Sequence, residues 1–385
     1  MMLMRRRTFF RVATAALATF GITGCTAPEG VPADRLARLA RGINMSHWFA
    51  QAPFSRATLQ SRHAADEFRT LRRVGLSHVR LPLDPYVLFS ERNPERLDPD
   101  RLPLLDAALD MILQAGLAVI VDLHPEERFV DRLATDDMFV EAVTQFWRAL
   151  AKHLSARDPG MIFLEALNEA HFDDPPRWEA VLRRLLAAMR EGAPRHTLIA
   201  SGDGWASIDG LVQLTPVADR NVVYNFHFYE PFEFTHQGAT WGYEMWRHYR
   251  GVPYPVDAAR ISTALALIDN PRAREEIRFY GQSGWGAARI EQRLDQAAAW
   301  GAQHNVPLTC NEFGVYRLIT DPADRIAWLT DVRTALERRR IGWAMWDYAG
   351  GFSLTRDGMN DRALDDETLR ALGLQATGSL SLPGA

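Results

Sequence analysis

Short apolar runs alternate with amphipathic stretches along this chain, and they predict an α/β fold: a single (β/α)8 TIM barrel with an extended insertion after its sixth strand. Three observations carry that prediction. Eight strand-like runs occur, at 42–47, 78–83, 118–124, 161–168, 197–201, 222–229, 307–312 and 342–346. Most are continuously apolar, as expected for parallel strands buried on both faces. Polar residues then gather at their C-terminal ends, where barrels of this kind keep their chemistry.

The elements follow in order. The first strand ends at His47-Trp48, the second carries Arg80, the third ends at His124 and the fourth at Asn168-Glu169. Trp205 follows the fifth, His227 and Tyr229 lie on the sixth, Glu312 ends the seventh, and Trp346 with Asp347 closes the eighth. Helical periodicity marks 61–74, 101–115, 136–155, 177–191, 286–303, 322–339 and 362–373, with a short segment near 206–214. Asp321-Pro322 and Asp366-Glu367 read as helix starts, where an aspartate caps or complements the amide end. An open doubly wound sheet normally shows a glycine-rich first turn, and Gly42-Ile43-Asn44 offers none.

The ends of the chain predict something other than barrel. Arg5-Arg6-Arg7-Thr8-Phe9-Phe10 precedes an apolar stretch, 12–23, too short to span a bilayer comfortably. Paired arginines there resemble a twin-arginine export signal, and Ile22-Thr23-Gly24-Cys25 resembles a lipobox with an acylated cysteine. The alternative is an ordinary export signal in which Cys25 is incidental. The expected organisation is an export signal over 1–25, a linker over 26–39, the barrel over 40–373 and a flexible tail over 374–385. The location expected is periplasmic or cell-surface, with contact to the membrane only through lipid on Cys25.

Cleavage before Cys25 removes four arginines and no acid, moving the formal charge from −4 to −8. That leaves no electrostatic footprint for nucleic acid. Of the two cysteines, Cys310 lies in an apolar strand and reads as a small buried residue. A hydrophobic content of 47% with 11 tryptophans indicates a large buried core, and the aromatics suit a ligand with flat apolar faces.

Two of the strand runs finish on a glutamate: Leu164-Glu165-Ala166-Leu167-Asn168-Glu169 and Leu308-Thr309-Cys310-Asn311-Glu312. A carboxylate at the end of a buried strand is costly to ionise without a partner, so two of them point to one site with paired acid chemistry. Taken singly, His124 reads as a satisfied buried histidine and Arg80 as an ion-pair partner. Their convergence at one rim is what argues for a site.

The ordered set resembles glycoside hydrolase family 5, in the clan of retaining (β/α)8 glycosidases, over residues 40–373. It comprises Arg41-Gly42-Ile43-Asn44, Arg80-Leu81-Pro82, Asp122-Leu123-His124, Asn168-Glu169, His227-Phe228-Tyr229, Glu312-Phe313-Gly314 and Trp346. The resemblance implies Glu169 as general acid/base and Glu312 as nucleophile. It implies that Asn168 bonds the 2-hydroxyl, that Arg80 and Tyr229 hold Glu312, that His124 and His227 line the sugar site, and that Trp346 underlies the reacting ring. Two positions depart from the family: Ala170 where many relatives have proline, and Asn311 where a small residue is common.

The activity this implies is hydrolysis of a β-linked polysaccharide by two glutamates, of the endo-β-1,4-glucanase (cellulase) type. β-Mannanase and exo-β-1,3-glucanase share the mechanism, and a non-catalytic glycan-binding barrel is the alternative of another class. No cofactor is expected, since two carboxylates and water suffice. No paired-cysteine or His-x-x-x-His ligand pattern is present. A metal-dependent barrel hydrolase would be distinguished by its sensitivity to chelators. Trp48 and Trp205 are candidate sugar platforms. The insertion at 230–284 holds Phe232, Phe234, Trp241, Tyr243, Trp246, Tyr249 and Tyr254; one or two wall a glycan cleft on this expectation, the rest forming the insertion's own core.

Overall fold

The computed structural model describes residues 30–377. The predicted export signal, Cys25 and the end of the tail lie outside them. Among the described residues eight parallel strands close into a barrel: β1 (Arg41–Asn44), β2 (His78–Leu83), β3 (Ala118–Leu123), β4 (Ile162–Glu165), β5 (Thr197–Ser201), β6 (Val222–Phe228), β7 (Leu308–Phe313) and β8 (Gly342–Met345). Each pairs with its sequence neighbour, and β1 closes on β8 through Arg41 opposite Trp343. Gly42 makes room for its neighbour on β2. The His78 ring lies where a β-carbon on residue 42 would stand, 2.2 Å from its Nε2.

The barrel interior is layered. Ala118, Ile120, Phe163, Ile199 and Val223 fill its lower end and pack with Leu39, Leu36 and Val31. The helix Ala33–Arg38 therefore lies against the barrel, within the segment expected to be a linker. Three apolar side chains facing the open lower layer give that segment a reason to fold. Farther up, the inward positions turn polar, with Arg80, Asp122, Glu165, Asn225 and Asn311 all buried.

Three further boundaries differ from expectation. The segment 362–373 divides into a strand of the hairpin Thr355–Asp357 with Asp361–Leu364, then a short helix, Asp366–Ala371, capped by Asp365. The helix expected at 136–155 begins at Asp137. Asp136 caps it and ends the preceding helix Glu127–Thr135, which had not been expected. The start of the tail is docked: Leu374 is buried, Gln375 N donates to Val74 O, and Thr377 donates to Asp366.

The insertion after β6 folds into the short helices Phe232–Thr235, Ala258–Leu267 and Pro271–Tyr280. Phe234, Tyr249 and Tyr254 form its interior, whereas Phe232, Trp241 and Tyr243 are exposed. Thr235 Oγ1 donates to the Tyr229 carbonyl at 2.6 Å, tying the insertion to the end of β6.

Candidate active site

Arg80 is the hub of the barrel mouth. It leaves β2 toward the axis, is fully buried, spends its guanidinium donors on four side chains and ion-pairs with a fifth. Nε and Nη2 bind Glu165 at 3.0 Å each, Nη1 binds Asn44 at 3.0 Å and Glu312 at 2.6 Å, and Nη2 binds Asn168 at 2.8 Å and Asp122 at 2.9 Å. Burial alone pulls a guanidinium's pKa down, but Asp122, Glu165 and Glu312 together hold this one well above its ordinary value.

Glu312 reaches that hub through an irregularity in the sheet. The β6–β7 register runs Phe226 opposite Cys310 and then His227 opposite Glu312, so Asn311 has no partner. Strand alternation would send neighbouring side chains to opposite faces. The bulge breaks it and re-aims a side chain beside a site. Asn311 Nδ2 donates to Glu165 at 2.7 Å while Glu312 meets Arg80, both within the barrel. The asparagine that departs from the family pattern thus has a partner. Tyr229 O–H takes the other oxygen of Glu312 at 2.8 Å, and burial followed by the Glu312 charge raises the phenol's pKa.

Glu169 lies beyond the end of β4, at φ 44° in the left-handed region, which costs a non-glycine residue ~1–3 kcal/mol. One oxygen meets His227 Nδ1 at 2.9 Å, and 27% of its side chain remains exposed at the mouth. Burial of the rest raises its pKa, opposed by His124, Arg80 and His171. His227 is pushed down to about 4 by burial and is neutral near pH 7. One carboxylate oxygen from each of Glu169 and Glu312 and a nitrogen of His227 all lie within 4.8 Å of one another.

The sequence-predicted residues around this pair divide clearly. Asn168 accepts from Arg80, and its amide nitrogen has no protein partner among the described residues. The rings of His124 and Trp346 are parallel, 8° apart with centroids at 5.6 Å. His124 Nδ1 lies 2.8 Å from Asp122 Oδ2, an oxygen that also ion-pairs with Arg80; an imidazole donating to that carboxylate keeps Nε2 as an acceptor. Trp205 is 52% exposed and stacks on His171 at 3.9 Å and 4°. Its backbone N–H donates to Ala170 O at 2.8 Å, and His171 Nδ1 meets Glu169 O, so this platform is built on the loop carrying Glu169.

Trp48 does not belong to the cleft. It is 1% exposed, packs on Phe49, His63 and Phe68, and its indole donates to Leu59 O at 2.9 Å. The intervening His47 has φ 58°, and that local turn sends the next side chain into the core. Cys310 is buried, as expected, and burial raises its thiol's pKa.

Asp122 and Glu165 were named within their motifs without a role, and Asn225 had not been singled out. Asn225 donates to Glu165 at 3.0 Å, and Glu165 accepts from both Nε and Nη2 of Arg80, one edge of the guanidinium. Burial raises Asp122 to about 7 against the pull of Arg80. The signal was present in each strand as a charged or amide residue within an apolar run, a placement that demands a buried partner.

Comparison with known proteins now adds to this geometry. The family model described as Cellulase (glycosyl hydrolase family 5) matches residues 40–351. The chain belongs to glycosyl hydrolase family 5. Among relatives in the family, Endoglucanase C of Acetivibrio thermocellus is 31% identical over 325 residues, covering 80% of this chain and 90% of that protein. Endoglucanase 3 of Fibrobacter succinogenes is 28% identical over 355 residues, covering 87% of this chain. This chain spans 53% of that relative's length. The endoglucanase Cel5A of Thermotoga maritima shares the fold at a TM-score of 0.71 and 24% identity, covering 88% of this chain and 98% of that one.

Proposed function

We propose that this family 5 protein is a retaining glycoside hydrolase acting within β-1,4-glucan chains, an endoglucanase of the cellulase type. The observation that carries the mechanism is the spacing of the two glutamates, with carboxylate oxygens within 4.8 Å. A retaining pair stands ~5–5.5 Å apart, whereas an inverting pair needs ~6.5–9.5 Å to admit water between acid and base. The relatives named endoglucanases support the substrate class.

In this mechanism Glu312, fixed by Arg80 and Tyr229, attacks the anomeric carbon. Glu169 delivers its proton to the departing oxygen, the proton being retained because burial raises the carboxyl's pKa. Formation of the glycosyl ester consumes the Glu312 charge. Glu169, now ionised, removes a proton from water, which attacks the ester and releases a sugar of unchanged anomeric configuration. Asn168 offers its free amide to the 2-hydroxyl, His124 and His227 line the reacting sugar, and Trp346 presents a face to its ring. Trp205 with His171, and the exposed aromatics of the insertion, wall the outer cleft.

Digestion of cellulose, laminarin and mannan with the products followed by NMR tests both parts. β-Anomers of short cello-oligosaccharides are expected first. Initial release of α-anomers overturns the retaining mechanism, and cleavage of mannan or laminarin alone overturns the substrate. We further propose that the chain is exported and held at the membrane by lipid on Cys25. Labelling with a fatty acid analogue that persists in Cys25→Ser would remove that anchor from the account.

A further inference from the structure

Beside the catalytic mouth, on the β1–β2–β3 side of His124 and sharing that ring with the sugar site, lies a cavity of about 490 Å³ whose other lining residues the mechanism leaves without a role. Its wall comes from the loops that follow those three strands: Gln51 and Phe54, then Asp84, then His124 and Glu126. Asp84 is 5% exposed. Its Oδ1 accepts from Tyr86 N at 2.8 Å, and no protein group among the described residues bonds its Oδ2. His124, 8% exposed, brings Nε2 as a second acceptor, with only the Gln51 amide near it at 3.4 Å. Glu126 adds a second carboxylate at the exposed edge, close enough that its charge helps burial to raise the Asp84 pKa to about 6. No lysine or arginine lines the cavity among the described residues.

A wall rich in acceptors, with two carboxylates, no cation and the Gln51 amide as a neutral donor, selects by charge. Sugar hydroxyls and protonated amines donate to it, whereas a sugar carboxylate meets no cation there and is repelled by the two carboxylates. Phe54 supplies an apolar face for the ring. We propose that this cavity is a charge-selective glycone subsite, with Asp84 and Glu126 as specificity-determining residues that favour neutral or amine-bearing glucan units and exclude carboxylated ones. The proposal rests on the β-glucanase function above for its substrate, though not for its test.

The test measures binding to the Glu312→Gln protein at pH 7.5, where Asp84 is ionised. The probes are cellotetraose and its analogues bearing an amine or a carboxylate at carbon 6 of the glycone units. The amine form is expected to bind at least as tightly as the neutral one, and the carboxylate form roughly tenfold more weakly or worse. That discrimination should shrink in added salt, which screens an electrostatic effect and leaves a steric one. Adding Asp84→Asn, which keeps the acceptor for Tyr86 N, should bring the carboxylate and amine affinities together. Glu126→Gln, at an exposed position, should do so partly and guards against a folding defect in the first variant. Equal affinities for all three probes, or a ratio that neither substitution moves, overturns the proposal. Turnover of unmodified β-glucan by the unaltered protein is scored separately, and its absence removes the hydrolase function while the binding series still decides the pocket.

Discussion

Glu169 and Glu312 carry the same side chain a few ångströms apart and are supported in opposite ways. Glu312 stands on a strand, and each of its oxygens has a donor, one from Arg80 and one from Tyr229. Arg80 is in turn fixed by Glu165, Asp122, Asn44 and Asn168. Glu169 lies beyond its strand in strained backbone, with His227 as its one side-chain partner among the described residues and part of its surface open to the cleft. A nucleophile must be held in line and charged, so rigidity and donors serve it. An acid that later becomes a base must lose and regain a proton, so desolvation and a single neutral partner serve it better.

The largest expected effects separate these roles. Glu312→Ala should lower kcat by roughly 10⁴–10⁶-fold, the scale on which removing a nucleophile acts. Added azide should then attack directly and yield an α-glycosyl azide. Glu169→Ala should cost roughly 10²–10⁴-fold on glucan and far less on an aryl glycoside whose leaving group needs no proton. Azide should there intercept the glycosyl ester and give the β-product. An exchange of these stereochemical outcomes would reverse the assignment. The pH profile adds a sign: the acid must be protonated and its pKa is raised, so kcat/KM should fall as pH rises through that value. Glu169→Gln should lose this alkaline limb.

The polar pedestal beneath Glu312 should show in stability as well as rate. Arg80→Met leaves Asp122, Glu165 and Glu312 facing one another without a cation, a loss of ~3–5 kcal/mol by urea unfolding. Asp122, raised from 3.8 to about 7, binds its proton more tightly folded than unfolded. Its contribution is therefore full below about pH 4 and lost as pH rises through about 7. Asp122→Asn should flatten the stability profile across that window, and an unchanged slope would place the proton elsewhere.

How much of this was legible follows from the same contrast. Strand position and the meeting of two glutamates at one mouth could be read because apolar runs and an isolated terminal acid are both costly signals in a parallel barrel. β2 and β5 were found to the residue. The pedestal was not read, because Glu165 and Asp122 sit inside runs whose apolar neighbours mask them, and their partners lie on other strands. Asn311 was noticed as a departure, but its purpose depends on a one-residue bulge that periodicity does not encode. Residues 362–364, on the second strand of the hairpin Thr355–Asp357 with Asp361–Leu364, were read as helix because the polar residues there carry little periodic signal of either kind. The docked helix Ala33–Arg38 was read as linker because no residue in it is fully buried.

Two tryptophans extend the contrast to the rim and give the smallest expected effect on activity. Trp48 and Trp205 both follow barrel strands, and sequence alone made them equivalent. Both lie beside backbone in the left-handed region, yet His47 turns Trp48 inward while Trp205, itself at φ 62°, stands out against His171. Trp205→Ala should raise KM for long cello-oligosaccharides roughly two- to tenfold, the worth of one aromatic face, with little change for substrates too short to reach it. Trp48→Ala should leave that KM ratio alone and instead lower stability by ~3–5 kcal/mol, as large-to-small changes in a core do. A Trp48 variant of normal stability but impaired on long chains would return that residue to the cleft. A Trp205 variant with unchanged kinetics on every chain length would empty the platform, leaving the insertion's Phe232, Trp241 and Tyr243 as the exposed aromatics able to carry the outer sugars.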